Sequence, residues 1–388
     1  MEARIAEVFF RDSIAGTLVE TGNGGTRFSY LAGWQQQIGC CLPLERREHE
    51  WSNGLHPFFE NLGPEGWLRE QQARTAHIAN EDDFGILLRF GADCIGAVSL
   101  RDPSPLADLA TVTKPMASPG RTISGVQRKL LVVKNNGIFE PAGDSGPAPY
   151  IAKFNSDSIP TLVRNEALSL GWTAAVLGNA EVNAFETAQV TGVDEGALIV
   201  KRFDRTNDGK KLRLEDFAQI LCKPAGRNHD GKYQASYEDV AKVIKTYSAR
   251  PAIDLSKFFR RLLVFVLIGN CDGHLKNFSL LETPSGFRLS PLYDVVNTAI
   301  YPNYDQNLAL HIGGKKVMLD QVTKFLLDGF GLSIGLSKKM IDQAFEEIRK
   351  GVVRAVRILE PPPAEPSGGF ISRYQEIVSR ACSRILDI

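Results

Sequence analysis

The sequence lacks an excess of charge of either sign. Its 388 residues carry 45 Lys and Arg against 45 Asp and Glu, and the sequence pI is about 7.0. A protein without a net field has no long-range attraction to DNA or to an anionic membrane. Contact with nucleic acid is therefore expected only locally or through a partner, and membrane association is not expected.

The chain also lacks metal-binding cysteine spacings and long apolar runs. Its six cysteines, at positions 40, 41, 94, 222, 271 and 382, form no CxxC pair. The longest apolar run, residues 262–268, is far too short to span a bilayer. The first residues have neither the basic start nor the apolar core of a signal peptide. These features predict a reduced, cytoplasmic protein without a membrane segment.

A short polar loop in the last third of the chain carries the groups that phosphoryl transfer needs. Asp272 can accept a hydroxyl proton, and Asn277 stands five residues later. Protein kinases place their metal-binding Asn at the same distance after the catalytic Asp. Lys276, between the two, can neutralise a transferred phosphoryl group. The spacing predicts a base, a cation and a metal ligand on one loop.

The segment after this loop favours a site over a plain Asp-Gly turn. Residues 278–281 and 286–290 read as two short strands joined by a Pro-Ser-Gly turn. Such a hairpin brings the chain back to its start, so Asp294 can meet Asn277 at one metal ion. The segment 257–270 before the loop is rich in apolar residues, which predicts a buried helix that supports the loop.

Eight short segments, in order along nearly the whole chain, form a family signature. They are FFENLGPEGWL at 58–68, ISGVQRK at 123–129, IAK at 151–153, NE at 165–166, VKRFDR at 200–205, EDFAQ at 215–219, GNCDGHLKNF at 269–278 and PLYD at 291–294. With these segments the chain resembles the HipA-type serine/threonine kinases of bacterial toxin-antitoxin modules.

The resemblance implies an α+β protein with a protein-kinase-like two-lobed fold. A small α+β N-terminal subdomain, residues 1–102, precedes a mixed β N-lobe at 115–205 and a mainly helical C-lobe at 206–388. The implied activity is ATP- and Mg²⁺-dependent phosphorylation of a protein, with an aminoacyl-tRNA synthetase as the expected substrate. The implied partner is a helix-turn-helix antitoxin of HipB type, through which the chain would contact DNA indirectly.

The resemblance also assigns the nucleotide contacts. Lys153, on a predicted strand at 150–154, is expected to meet the α- and β-phosphates and Glu166 on the next helix. Residues 200–203 would form the adenine hinge, and Asp204 would hold the ribose. The remaining assigned nucleotide contacts are Ser124, Gly125, Val126, Gln127, Lys129, Lys201, Phe203 and His274. Without the resemblance, residues 124–133 would be an ordinary hairpin and Lys153 a solvated edge lysine.

A hydroxyl in the phosphate loop is expected to control the enzyme. Thr122 or Ser124 is the implied autophosphorylation site, since a phosphate there would repel the phosphates of ATP. Two other functions stay open: a catalytically idle co-repressor scaffold for the antitoxin, and a small-molecule phosphotransferase of aminoglycoside type. The acids and Asn of the loop, together with Lys153, argue against the scaffold. The N-terminal module and the phosphate-loop hydroxyls argue against the small-molecule enzyme.

Local patterns complete the expected outline. Apolar alternation predicts strands at 5–10, 14–20, 26–31 and 94–100 around a helical stretch at about 55–79. Helices are predicted at 161–177 and at 374–386, the last after the three prolines at 361–363.

Overall fold

The computed structural model describes residues 3–104, 127–143, 148–226, 230–366 and 368–388. Contacts divide the chain into two compact units, Met1–Pro160 with Thr187–Lys232 and Thr161–Glu186 with Tyr233–Ile388. Within the described ranges, no helix has the length and apolar character needed to cross a membrane.

The first unit begins with an antiparallel five-stranded sheet. Its strands are β1 (Ile5–Phe10), β2 (Ser13–Glu20), β3 (Thr26–Tyr30), β4 (Glu48–Trp51) and β5 (Val98–Arg101). They lie in the order β4-β3-β2-β1-β5. Alternate residues such as Phe28 and Tyr30 point into the core, as period-2 patterning requires. The predicted strands are confirmed except the last, which begins at Val98 because Gly96 holds a left-handed φ of 82° against the backbone of Leu214.

Three helices cover this part of the first unit. They are α1 (Pro57–Glu60), α2 (Gly66–Ala76) and α3 (Asp83–Phe90). The predicted stretch at 55–79 is therefore two helices, because Pro64 lacks the N–H that a continuous helix needs. Helix α3 was not predicted from the sequence, although Asp82 caps it by accepting the N–H of Gly85 at 2.9 Å.

A second five-stranded sheet follows. Its strands are β6 (Lys129–Asn135), β7 (Ile138–Pro141), β8 (Tyr150–Lys153), β9 (Phe185–Gln189) and β10 (Gly196–Lys201), in the order β7-β6-β8-β10-β9. One face packs Leu130, Ala152 and Ile199 into an apolar cluster. The other face carries Lys129 and Lys153, which are direct cross-strand neighbours. The sheet thus has an apolar cluster on one face and two cations on the other.

The remaining elements include most of the helices. They are α4 (Leu162–Leu177), β11 (Leu214–Asp216), α5 (Phe217–Ile220), α6 (Tyr237–Tyr247), α7 (Pro251–Ile268), β12 (Ser279–Thr283), β13 (Gly286–Leu289), α8 (Lys324–Ser333), α9 (Lys338–Ala355) and α10 (Phe370–Leu386). The predicted helices at 161–177, 257–270 and 374–386 correspond to α4, α7 and α10. Helix α10 begins one turn earlier than predicted because Phe370 and Ile371 extend its buried stripe. Helix α4 belongs to the second unit, where it packs on α9. The N-lobe bounds of 115–205, which include this helix, stay a prediction.

A buried ionic cluster joins two segments of the first unit. Asp204 accepts hydrogen bonds from Arg202 at 3.0 Å, Arg205 at 2.7 Å and the backbone of Gly96 at 2.9 Å. Asp93 pairs with the same two arginines at 3.1 and 2.6 Å. Burial alone would raise the pKa of Asp93, but Arg202 and Arg205 lower it from 3.8 to about 2. The ion pairs of Asp93 with Arg202 and Arg205 therefore stabilise the folded state fully above pH 3.8. This stabilisation is lost as the pH falls through about 2.

Replacing Asp204 by Ala should destabilise the first unit strongly. The substitution leaves two buried guanidinium groups with half their carboxylate partners, which costs about 3–5 kcal/mol. Asp208→Ala is the matched control, since Asp208 is exposed four residues further on. Urea unfolding followed by tryptophan fluorescence should show a lower midpoint for Asp204→Ala only. Equal midpoints for the two variants would contradict the structural role of the cluster.

Candidate active site

Helix α7 delivers the polar loop from a rigid base. Its residues from Leu262 to Ile268 are all buried, and Gly269 ends the helix in a left-handed conformation at φ 76°. A side chain at Gly269 would meet Ala299 and Asn297 at 2.9 Å. A Cβ at Gly273 would lie 2.7 Å from the ring of Phe265. Only glycine fits at these two positions, so the loop is pressed directly onto its supporting helix.

Asp272 lies at the exposed tip of this loop. Its backbone N–H donates to Asn270 Oδ1 at 2.9 Å, and its carbonyl accepts the N–H of His274 at 2.8 Å. These bonds fix the backbone while the side chain remains 51% exposed. A fixed, solvent-facing carboxylate has the access that a general base requires.

Tyr233 is a site residue that the sequence did not indicate. Its hydroxyl donates to Asp272 Oδ1 at 2.7 Å, and its ring packs edge-on against His274 with centroids 5.1 Å apart. It comes from a short turn, Gly231–Tyr233, 39 residues before the acid. No local pattern joins a lone tyrosine to an acid at that separation, so only the fold reveals the contact.

Asn277 and Asp294 meet as the hairpin prediction requires. Asn277 Nδ2 lies 3.4 Å from Asp294 Oδ2, and Asn277 Oδ1 accepts the N–H of His274 at 2.9 Å. Asp294 holds a left-handed backbone at φ 57°, which is rare for a residue with a side chain and concentrates at functional positions. A carboxylate and an amide oxygen suit Mg²⁺, which takes one or two protein oxygens and completes its shell with water and phosphate.

The hairpin β12–β13 is tied to the start of α7. Asp254, fully buried in the first turn, accepts bonds from Arg288 at 2.8 and 2.9 Å and from the N–H of Leu289 at 3.1 Å. Burial alone would raise the pKa of Asp254, but its bonds to Arg288 and Ser248 lower it. Tyr293 donates to the carbonyl of Lys276 at 2.8 Å. The hairpin and the loop therefore form one braced unit around Asp294.

Helix α4 braces the segment that follows Asp294. Asn165 donates to the carbonyl of Asn297 at 2.9 Å and accepts the N–H of Asn297 at 2.9 Å. Ser169 donates to Asn165 and also contacts Tyr374 at 2.8 Å. Asn165, Ser169 and Asn297 are all fully buried. The Asn-Glu motif of the sequence thus contains a structural residue, while its neighbour Glu166 is buried in the same helix.

In the first unit, two of the buried lysines share one face of the sheet. Lys129 and Lys153 are 7% and 6% exposed and oppose each other directly in β6 and β8. Leu198, the next cross-strand partner of Lys153, and Val200 lie on the same face. Gln127 donates to the carbonyl of Phe154 at 2.8 Å. This face therefore combines positive charge with apolar side chains.

Two expected nucleotide contacts are placed unfavourably. Lys201 lies on the opposite face of the sheet, is exposed and donates to Asn207 at 3.0 Å. Asp204 is 2% exposed and is engaged in the ionic cluster, so it does not face a ribose. Phe203, which lies between these two residues in the sequence, is half-buried. Strand alternation explains the first difference, and the buried arginines explain the second.

The other expected site residues divide into two groups. His274 is buried beside the acid, with Nε2 4.0 Å from Asp272 Oδ1, which is too long for a hydrogen bond. Lys276 lies in the turn Leu275–Asn277 and is half-buried. Thr122, Ser124, Gly125 and Val126 lie outside the described residues.

Comparisons with known proteins match both parts of the chain. Residues 6–101 match the family model of the HipA N-terminal domain, and residues 121–356 match the HipA-like C-terminal domain. "Putative kinase Y4dM" of Sinorhizobium fredii is 33% identical over 320 residues, covering 76% of this chain and 75% of that protein. The serine/threonine-protein kinase toxin HipA of Shewanella oneidensis is 26% identical over 403 residues, covering 92% and 90%.

A solved structure agrees with the fold. HipA in the Shewanella oneidensis complex of HipA, HipB and operator DNA superposes with a TM-score of 0.77 at 21% identity, covering 99% of this chain and 98% of that one. The expected architecture, an N-terminal subdomain with a kinase-like core, is confirmed.

Removing the Asn165 bridge should loosen the second unit. Asn165→Ala leaves the buried N–H and C=O of Asn297 unpaired, at about 1–3 kcal/mol for each group. Asn179→Ala is the control, because Asn179 is exposed in the turn after the same helix. Hydrogen exchange should show faster exchange at residues 294–300 for Asn165→Ala alone. Unchanged protection there would refute the bracing role.

Proposed function

This chain belongs to the HipA family, and from that premise we propose that it is an ATP- and Mg²⁺-dependent serine/threonine protein kinase that arrests growth as a toxin. The main support for the proposal is that Asn277 Nδ2 and Asp294 Oδ2 lie 3.4 Å apart beside the loop of Asp272. An idle scaffold has no use for a braced acid, a metal-binding pair and two buried cations. The relatives named as kinases support the same activity.

In the proposed mechanism each group has one task. Asp272 accepts the proton of the attacking hydroxyl, and Tyr233 holds the carboxylate in place through Oδ1. Asn277 and Asp294 would hold Mg²⁺, which would supply positive charge to the phosphate oxygens. Lys276 stabilises the charge of the transferred group. In the first unit, Lys129 and Lys153 offer positive charge to the nucleotide phosphates.

The proposed substrate comes from the family resemblance, and the proposed partner from a solved relative. An aminoacyl-tRNA synthetase is the proposed protein substrate, and phosphorylating it in the cytoplasm would stop translation. HipA of Shewanella oneidensis is found with HipB and operator DNA. We propose a helix-turn-helix antitoxin of that type for this chain, with DNA bound through the antitoxin because the chain has no net positive charge.

Labelled ATP tests the proposed function directly. The purified chain is incubated with [γ-³²P]ATP, Mg²⁺ and a bacterial lysate, with Asp272→Asn as the matched inactive control. A protein labelled only by the wild type, identified by mass spectrometry, is the expected result. Label on small molecules alone would indicate a small-molecule phosphotransferase, and no label at all would indicate a scaffold.

Asp272→Asn should abolish turnover and leave nucleotide binding intact. The base is lost, which lowers the rate by about 10²–10⁴-fold, while the phosphate contacts remain. Asp305→Asn serves as the control, since Asp305 is an exposed carboxylate of the same unit. Initial rates and calorimetric ATP affinity separate the two effects. Turnover within a few-fold of wild type would remove Asp272 from the mechanism.

Asp294→Ala should weaken Mg²⁺-ATP binding as well as turnover, because it withdraws a metal ligand. Calorimetry with and without Mg²⁺ should show that the variant gains little affinity from the metal. If Mg²⁺ improves ATP affinity equally in wild type and variant, Asp294 has a structural role only.

Autophosphorylation should silence the enzyme. A phosphate on Thr122 or Ser124 would repel ATP phosphates and withdraw the loop amides. Intact mass after incubation with ATP should show added phosphate on the wild type and none on Asp272→Asn incubated alone. Peptide mapping that places the phosphate outside residues 121–129 would contradict this regulation. So would a phosphorylated form that binds ATP as tightly as the unmodified protein.

A further inference from the structure

Two cysteines and a histidine from distant parts of the first unit meet in one cluster. Cys41 follows β3, His56 precedes α1, and Cys222 follows α5. One Sγ or ring-nitrogen atom of each lies within 4.8 Å of the others, and Cys222 Sγ is 3.9 Å from His56 Nε2. Neither the kinase family signature nor the proposed mechanism uses these residues.

Backbone contacts hold the cluster together. Gln219 donates to the carbonyl of Phe58 at 3.1 Å, and Asn61 donates to the carbonyl of Lys223 at 2.9 Å. The N–H of Ala225 donates to Glu60 at 2.9 Å. These three bonds hold α1 against α5 and the segment that follows it. The positions of His56 and Cys222 are therefore fixed relative to each other.

The hydrogen bond at Nδ1 of His56 decides which tautomer this histidine adopts. Nδ1 of His56 accepts the backbone N–H of Phe58 at 3.2 Å, so Nδ1 presents a lone pair. In a neutral imidazole the proton then lies on Nε2, which points at Cys222. A metal-binding histidine has the reverse arrangement, with its second nitrogen donating to an acceptor. The geometry therefore favours a thiolate that receives a hydrogen bond over a metal site.

The thiols of the chain differ in acidity accordingly. A hydrogen bond from Cys41 lowers the pKa of Cys222 to about 5; burial opposes this, and a hydrogen bond from His56 adds to it. The same contact with Cys222, with burial, raises the pKa of Cys41. Burial raises the pKa of the other four, Cys40, Cys94, Cys271 and Cys382. The hydrogen bonds from Cys41 and His56 thus favour the thiolate form of Cys222, with the thiol of Cys41 beside it.

We propose that Cys222 and Cys41 are a peroxide-oxidised pair that closes to a disulfide. The Cys222 thiolate attacks one oxygen of a hydroperoxide, the O–O bond breaks, and a sulfenic acid and hydroxide form. The sulfur of Cys41 then attacks the sulfenic sulfur, and the S–S bond forms as water leaves with the proton of Cys41. The two thiols supply the two electrons that reduce the peroxide. Both residues are intermediate between buried and exposed, so the pair lies near the surface, where a small oxidant has access.

The disulfide would join two regions that match different family models. Position 41 lies in the segment that matches the HipA N-terminal domain, and position 222 in the segment that matches the C-terminal domain. Both positions belong to the first unit, so the bond would fix a contact that already exists. The inference is independent of the proposed kinase activity.

Thiol mapping of the full chain tests this site. Reduced protein is treated with hydrogen peroxide in the presence of a strong zinc chelator, alkylated, digested and analysed without reduction. Of the six thiols, four should remain alkylatable, and one cross-linked peptide pair should join Cys41 to Cys222. Six alkylated thiols after treatment, or a cross-link between other cysteines, would overturn the proposal without need of any variant.

Matched variants assign the roles. In Cys41→Ser, dimedone should trap a sulfenic acid on Cys222, and in Cys222→Ser all remaining thiols should stay reduced. Cys40→Ser is the control, because Cys40 is adjacent but bonds to Glu215; it should form the same cross-link as wild type. Zinc assay of chain purified without chelator gives the opposing result. One zinc per chain that is lost in Cys222→Ser would replace the oxidation site by a metal site.

Discussion

The candidate site depends on the need of buried polar groups to find partners inside the protein. Asn165 binds both backbone groups of Asn297, and Asp254 binds Arg288 and the backbone beside it. An unpaired polar group in such an interior costs about 1–3 kcal/mol, so each bridge strongly favours one arrangement. In the sequence, the loop of Asp272 and the hairpin to Asp294 lie between Asp254 and Asn297, which these two sets of hydrogen bonds hold in place. Their positions are therefore set by contacts outside the chemistry itself.

The same constraint separates structural from chemical charges in the first unit. Asp204 and Arg202 are buried and neutralise each other, together with Arg205 and Asp93. Lys129 and Lys153 are also buried, but they stand side by side as like charges on one face of a sheet. Like charges directly opposite each other are unfavourable in a sheet, so other groups must offset this pair. The proposed function assigns this face to the nucleotide phosphates.

The sequence predicted most of what depends on local patterns and motif spacing. Strands β1 to β3, the buried helix α7, and the hairpin that brings Asp294 to Asn277 follow from apolar periodicity and turn residues. It could not predict the contact of Tyr233 with Asp272, since the two residues meet only through the fold. It also could not show that Asp204 lies in an arginine cluster or that Lys201 is exposed, because a charged strand end has the same pattern in a nucleotide site, in an ionic cluster and in solvent. The meeting of Cys41, His56 and Cys222 likewise has no signature in their spacing.

We propose that Asn277 and Asp294 hold the metal of a phosphoryl-transfer site whose base is Asp272. The most direct measurement is a crystal structure of the chain with a non-hydrolysable ATP analogue and Mn²⁺, located by its anomalous scattering. We expect Mn²⁺ bound to Asn277 Oδ1 and the carboxylate of Asp294, with the terminal phosphate facing Asp272. A nucleotide whose metal contacts neither residue, or whose terminal phosphate faces away from Asp272, would contradict it.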